Sequence, residues 1–337
     1  MKKYKFVVFG DAWDVYQVAH REWIEDPLIS YVSTFRPKGI IGQLQRLHFN
    51  PRLNSFVSLP YKPLWNSTYI RQIDEENLCF LITDHWLRME CGIRLMPYLR
   101  RHYPNARIVC FLLDLVDNII DHYSHRPIDV AYIKEYVDLF ITYDKTDARR
   151  YDLSYHPTVY SAIPAVQNAA APIYDLYFLG RDKGRLKRLV AICQEAQRRQ
   201  LKCHFLMVEV PKSQQVKCEG ITYLDGTLTY AENLRNCARS KCLVEMLQKD
   251  ASSPTFRNWE SIMLNKRLLT NNRAIIEADI YDVRYITVFH DIDDIDWQAL
   301  AAGSGFADGV NPYQDMIKPI SLVRFIEEHL HIQIAHS

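Results

Sequence analysis

The sequence has no Cys-x-x-Cys pair, no GxGxxG run, no apolar stretch that approaches a membrane span, and a formal net charge of only +1. Each absence closes a class. The eight cysteines, at 79, 91, 110, 193, 203, 218, 237 and 242, stand singly and mostly inside apolar runs. They read as small buried hydrophobes in a reducing compartment, not as disulfides or a zinc site. Without GxGxxG after a strand, a nicotinamide dehydrogenase is disfavoured. The near-zero charge argues against a protein that coats nucleic acid. The opening MKKYKFVVFGD offers only about four apolar residues where a secretory signal needs roughly seven to fifteen, so it reads as a first β-strand. A cytoplasmic, soluble protein is expected.

What is present is alternation. At 337 residues and 48% hydrophobic content, the chain suits two α/β domains. Strands are expected at Lys5–Phe9, Phe56–Leu59, Leu78–Thr83, Arg107–Leu113 and Leu139–Tyr143. Helices are expected at Ala12–Trp23, Gly39–Phe49, Met89–His102, Ile128–Tyr136 and Lys145–Tyr151. From Pro27 to Asn77, prolines break the pattern. A polar linker, Ala162–Ala171, follows, and the alternation restarts with strands at Ile173–Leu179, Lys202–Val208, Ile221–Tyr223, Lys241–Glu245 and Arg267–Asn271. Strands alternating with helices at this spacing mean right-handed βαβ units and parallel sheets. The expected fold is α/β, two Rossmann-like doubly wound domains facing a cleft. The divisions are 1–165, 166–315, and a C-terminal segment 316–337 whose helix, Ser321–Leu330, returns to the first domain.

Two stretches of the second half carry chemistry. Ile173–Arg199 reads as strand, basic turn and helix, with Arg181, Lys183, Arg185, Lys187 and Arg188 after Gly180. A helix N-terminus following a parallel strand suits a phosphate; the alternative is an exposed basic helix start. Further on, a strand delivers Glu245 to its carboxyl end. Ser253-Pro254 then reads as a cap and first-turn proline, opening a helix that carries Thr255, Arg257 and Glu260. Thr255 and Arg257 suit a diphosphate and Glu260 a ribose. The alternative is an Arg257–Glu260 salt bridge on a solvated helix face.

The order Rossmann-like half, linker, FLGRDKGRLKRL, then VEMLQ…TFRNWESIMLNKRLLTNN resembles the GT-B glycosyltransferases of bacterial lipopolysaccharide or capsular polysaccharide synthesis. The matching positions are Glu245, Thr255, Arg257, Glu260, Leu268, Thr270, Asn271 and Asn272; FITYDKTDARRYDLSYHPTVYS is similar to the segment closing the N-terminal half in that group. The likeness covers most of Leu78 to Phe289, with Lys249–Pro254 standing where those relatives carry Gly and Gln. It implies a nucleotide-sugar donor on the second domain, at Gly180, Arg181, Lys183, Glu245, Thr255, Arg257 and Glu260. It implies a glycan or lipid-linked acceptor on the first, and neither nucleic acid, metal nor cofactor. Cations and helix N-termini would stabilise the leaving nucleotide.

An inverting transferase needs a general base on the first domain. Candidates are Asp11, His85 and Asp114, each just after a strand; Asp84 and Asp117 are further options, and Asp144 and Asp147 read as helix caps. Other readings of the same architecture are a nucleotide-linked polyol-phosphate transferase and a non-catalytic nucleotide-sensing scaffold. The segment HWLRMECGIRLMPYLRRHY places Met89, Ile93, Met96 and Leu99 on one face, with Arg88, Arg94, Arg100 and Arg101 around it. As a membrane contact it would rest on the anionic inner leaflet; as an ordinary stripe it is core.

Overall fold

The structure, a computed structural model, describes residues 4–34, 38–48, 76–88, 90–121, 129–163, 171–247, 254–303, 305–306 and 309–335. The expected strand Phe56–Leu59, residues 249–253 of the donor loop and 164–170 of the linker lie outside those. The chain divides into two compact units, residues 1–161 with 316–337 and residues 162–315.

The first unit holds β1 (Lys5–Gly10), β2 (Ile29–Ser33), β3 (Leu78–Thr83), β4 (Arg107–Leu112), β5 (Leu139–Thr142) and β6 (Ser154–Tyr155). They form one parallel sheet in the order β2-β1-β3-β4-β5-β6. Its middle strands are apolar throughout because both faces are covered. Alternation along each strand sends Val7, Phe9, Phe80 and Ile82 to one face, with Leu95, Met96 and Leu99 of helix Glu90–His102. Phe6, Val8, Leu81 and Phe111 go to the other, with Trp23 and with Leu322, Ile326 and Leu330 of the closing helix Pro319–Ala335. The Trp23 indole N–H donates to the Pro319 carbonyl at 3.2 Å, tying the end of the chain to its beginning.

β2 lies where sequence patterning saw only a broken signal. The single helix expected over Ala12–Trp23 is two, Asp14–Ala19 and Arg21–Glu25, parted at His20. The buried imidazole of His20 sits among the rings of Tyr16, Trp23 and Tyr31, at centroid distances of 5.5, 4.9 and 5.9 Å, with Nδ1 3.0 Å from the Tyr31 hydroxyl. Gly10 makes room for that hydroxyl: a Cβ there would lie 2.0 Å from it.

Burial gives this unit an acid-sensitive core. It lowers the pKa of His20 to about 3, against an opposing pull from Asp11, and that of His156 to about 4. Both are neutral when folded. The unfolded chain binds those protons near pH 6.5 and the folded chain does not, so stability falls as the pH drops through that window, by roughly 3 kcal/mol per histidine near pH 4. Melting temperature measured against pH should therefore fall steeply below neutrality, and less steeply in His20→Asn. Equal slopes in the two proteins would show that His20 is not buried neutral.

The second unit holds β7 (Tyr174–Arg181), β8 (Cys203–Val208), β9 (Ile221–Leu224), β10 (Ser240–Glu245), β11 (Arg267–Thr270) and β12 (Ile286–Val288), in the order β12-β11-β10-β7-β8-β9 and all parallel. Counted within the unit, that is the doubly wound order 3-2-1-4-5-6. Helix Leu186–Arg198 buries Leu186, Leu189, Val190, Cys193 and Ala196 against it. The seven cysteines whose side chains are described are free thiols, all buried but the partly covered Cys218. In each sheet the chain reverses its winding at one place: between β1 and β3 in the first unit, between β7 and β10 in the second. Those switch points are where ligands bind in open parallel sheets.

Candidate functional site

At the first switch point the loop after β1 and the short helix Asp84–Arg88 that directly follows β3 bring Asp11 and His85 together. One carboxylate oxygen of Asp11 lies 2.9 Å from His85 Nδ1. The other accepts from the Trp13 amide at 3.1 Å and the Thr34 hydroxyl at 3.2 Å. Asp11 is buried and its orientation fixed, while His85 keeps about a fifth of its side chain, 22%, open to solvent. Nδ1 faces the carboxylate, so Asp11 fixes the orientation of the ring. The Trp13 ring, 52% exposed, lies 5.8 Å from the imidazole.

Asp114, the third residue expected as a base, lies just past the end of β4. Its carboxylate accepts from the Leu115 amide and the Asn118 side chain, each at 2.8 Å, so it closes the turn into helix Val116–Asp121. Asp144 caps helix Lys145–Tyr151 through the amides of Thr146 and Asp147. Asp147 instead accepts from the Val116 amide at 2.8 Å, tying a neighbouring helix, and burial raises its pKa. Asp117 pairs with Arg150 and the Tyr151 hydroxyl.

At the second switch point β7 runs on past the expected end at Leu179, through Gly180 to Arg181. Asp182–Gly184 forms the corner, with Lys183 in the left-handed region at φ +44°. Arg181 makes a two-pronged, half-exposed pair with Glu209, at 3.0 and 3.2 Å. Lys183 is exposed and makes no ion pair among the described residues. Arg185 reaches back across the switch: its guanidinium donates to the carbonyls of Asp182 at 3.1 Å, Met246 at 2.6 Å, and Arg181. Gly180 permits this, since a Cβ there would sit 3.0 Å from the guanidinium. Burial lowers the Arg185 pKa, with Asp182 opposing the shift. Three of its five N–H donors are used on carbonyls.

The remaining donor candidates turn inward. Both oxygens of Glu245 are taken: one accepts from the Thr255 amide (2.9 Å), the Thr255 hydroxyl (2.6 Å) and Asn258 (2.5 Å), the other from the Thr270 hydroxyl (2.6 Å). Burial raises its pKa, against those four hydrogen bonds. Thr255, not Ser253-Pro254, caps helix Phe256–Met263. Its hydroxyl is bound to Glu245 and is not offered to a phosphate. Arg257 and Glu260, expected at a diphosphate and a ribose, bind each other at 2.5 Å with side chains only 11% and 2% exposed. Tyr230 and Asn233 complete the Glu260 shell at 2.8 and 2.9 Å, and the guanidinium lies over the Tyr177 ring at 5.4 Å. This is the salt bridge that spacing allowed, but in the core. Desolvation is the largest single influence on the Arg257 charge and opposes it, but Glu260 together with Cys237, Tyr177 and Tyr230 outweighs it and leaves the pKa raised.

No group of three or more His, Cys, Asp and Glu among the described residues is arranged to hold a metal ion. No described helix is long and apolar enough to cross a membrane. The helix expected to rest on lipid is structural where it can be followed: Met96 and Leu99 are fully buried, and Arg100 binds Asp138 at 2.6 Å and two carbonyls. The side chains of Met89 and Ile93 lie outside the described residues.

No family profile and no curated protein sequence matches the chain. Solved structures do. The chain is similar to an alpha-glucosyltransferase in complex with UDP and a 13-mer DNA containing an HMU base, at 9% identity and a TM-score of 0.54 over 98% of this chain and 99% of that one. An alpha,alpha-trehalose-phosphate synthase (UDP-forming) from Burkholderia vietnamiensis matches at 10% and 0.56, over 99% of each chain. A trehalose-6-phosphate synthase matches at 11% and 0.55, over 98% of each. The fold is GT-B. At such identities the fold is what is shared.

Within this GT-B chain, sequence reading counted Arg185 among five cations and did not single it out. Its local signal was the short Asp182–Gly184 corner, which brings the arginine at the helix N-cap back over β7. Nothing local marks Met246 as the third carbonyl.

Proposed function

We propose that the chain is a glycosyltransferase moving a sugar from a nucleotide-sugar to an acceptor hydroxyl. The observation carrying this reading is the Asp11–His85 pair, a buried carboxylate orienting a partly open imidazole at the switch point of a GT-B unit. His85 takes the proton from the acceptor hydroxyl as it attacks the sugar carbon, and Asp11 stabilises the imidazolium that forms. Such a base serves direct displacement, which inverts the sugar carbon. In the second unit, Lys183, Arg185 and Arg181, released from its exposed pair, neutralise the diphosphate that leaves. No metal or cofactor is assigned: the nucleotide-sugar is a substrate. The DNA in one similar structure belongs to that protein. With a net charge of +1, this chain is assigned a glycan or lipid-linked acceptor of cell-surface polysaccharide, lipopolysaccharide or capsule, handled from the cytoplasmic side.

The test is the identity of the nucleotide released. Incubation with UDP-, GDP-, dTDP- and CMP-linked sugars and CDP-linked polyols, read by chromatography, should yield a nucleoside diphosphate from one sugar donor. A monophosphate from a CDP-polyol would identify polyol-phosphate transfer. Binding without release would identify a nucleotide-sensing scaffold.

A further inference from the structure

Helix Gly39–His48 of the first unit is built inside out. Its buried positions are Gly42 and Gln45, whereas Ile40, Ile41, Leu44 and Leu47 are 76%, 56%, 53% and 56% exposed. At 100° per residue, Ile40, Leu44 and Leu47 fall within about 60° of one another and Ile41 flanks them. A ten-residue helix exposing four large aliphatic side chains on one side is a docking face, since surface apolar residues ordinarily occur singly.

The charge of the sequence on either side of it says what docks. Between Asp26 and Asp74 the sequence has no acidic residue, and it has six cations: Arg36, Lys38, Arg46, Arg52, Lys62 and Arg71. The whole chain carries 41 cations and 40 acids, so the other residues carry 35 against 40, a net −5. The stretch holds an ordinary share of cations but no acid to offset them, so it is net positive where the outward aliphatic face lies. We propose that this helix is an anchor for an anionic lipid surface, its Ile and Leu side chains entering the headgroup–acyl boundary while Lys38 and Arg46 meet lipid phosphates. A second copy docking by the same face would bring like charges together. Nucleic acid would set phosphates against aliphatic side chains, where aromatic stacking is the usual contact. The inference rests on this surface alone and holds whatever reaction the chain performs.

The experiment is co-sedimentation of the full chain with vesicles of phosphatidylcholine alone or with about a third phosphatidylglycerol, at low and high salt. Binding should require phosphatidylglycerol, weaken with salt, and fall at least tenfold in Ile40→Asp/Leu44→Asp. Val283→Asp, a change at an exposed apolar side chain of the second unit, should bind as the parent does. Leu44→Trp keeps the face apolar and should blue-shift in fluorescence on anionic vesicles only. Vesicle binding unchanged by Ile40→Asp/Leu44→Asp, or no binding by parent and Leu44→Trp alike, would overturn the proposal. So would self-association, or capture of a DNA or RNA oligonucleotide, that disappears in the double variant while vesicles do not bind.

Discussion

Arg257→Ala is expected to destabilise the second unit by about 3–5 kcal/mol, because it leaves the Glu260 carboxylate buried without its partner. The pair is 2.5 Å long and nearly solvent-free, and the guanidinium also covers Tyr177. For a unit of this size, that loss lowers the melting temperature by roughly 6–20 °C. The double change Arg257→Met/Glu260→Leu removes both charges and should recover much of the loss, as buried ion pairs replaced by apolar residues commonly do. Differential scanning calorimetry of the parent, Arg257→Met, Glu260→Leu and the double variant, the four corners of a cycle, gives the coupling directly. Were Arg257 a ligand for the nucleotide, its removal would instead weaken nucleotide binding and leave the melting temperature of the free protein nearly unchanged.

The second large effect belongs to His85. His85→Ala should lower transfer by about 10²–10⁴-fold, the usual contribution of a positioned general base, with nucleotide affinity unchanged. Asp11→Asn keeps the shape of the site but removes the charge facing Nδ1, and should lower turnover without moving nucleotide affinity. The readout is turnover at saturating donor beside the dissociation constant of the nucleotide. Turnover preserved in His85→Ala would mean that the acceptor is activated without a protein base, as in a transferase that retains configuration.

Much of the fold was legible because it is written in local patterns. Leu78–Ile82 and Ile108–Leu112 are apolar without interruption, which only a strand covered on both faces requires. Edge strands gave no such signal. β2 is ISYVS, half-buried, and lies between Pro27 and Pro37; β12 is three residues long. The helix break at His20 was invisible because its cause, Tyr31 and Trp23 closing on the imidazole, is tertiary.

The site was legible in part for the same reason. Asp11 and His85 each follow an apolar strand, so position alone nominated them, although their pairing depends on β1 and β3 being neighbours. Spacing put Arg257 and Glu260 on one helix face but left open which way that face points. Tyr177, Tyr230, Asn233 and Cys237, brought from two other elements, turn it inward. Asp114 was nominated by the same positional rule as Asp11, and Asn118, one turn on, makes it a cap.

The central claim, that the second switch point receives the diphosphate of a nucleotide, is tested most directly by calorimetric titration with UDP, GDP, CDP, dTDP and ADP. One of these should bind. Lys183→Ala should weaken it about tenfold or more, the loss of one charge-assisted contact of roughly 1.5–3 kcal/mol, and Arg257→Ala, in the protein still folded at low temperature, should leave the affinity unchanged. No binding by any of the five, or binding that is unmoved in Lys183→Ala and in Arg185→Ala, would contradict the account.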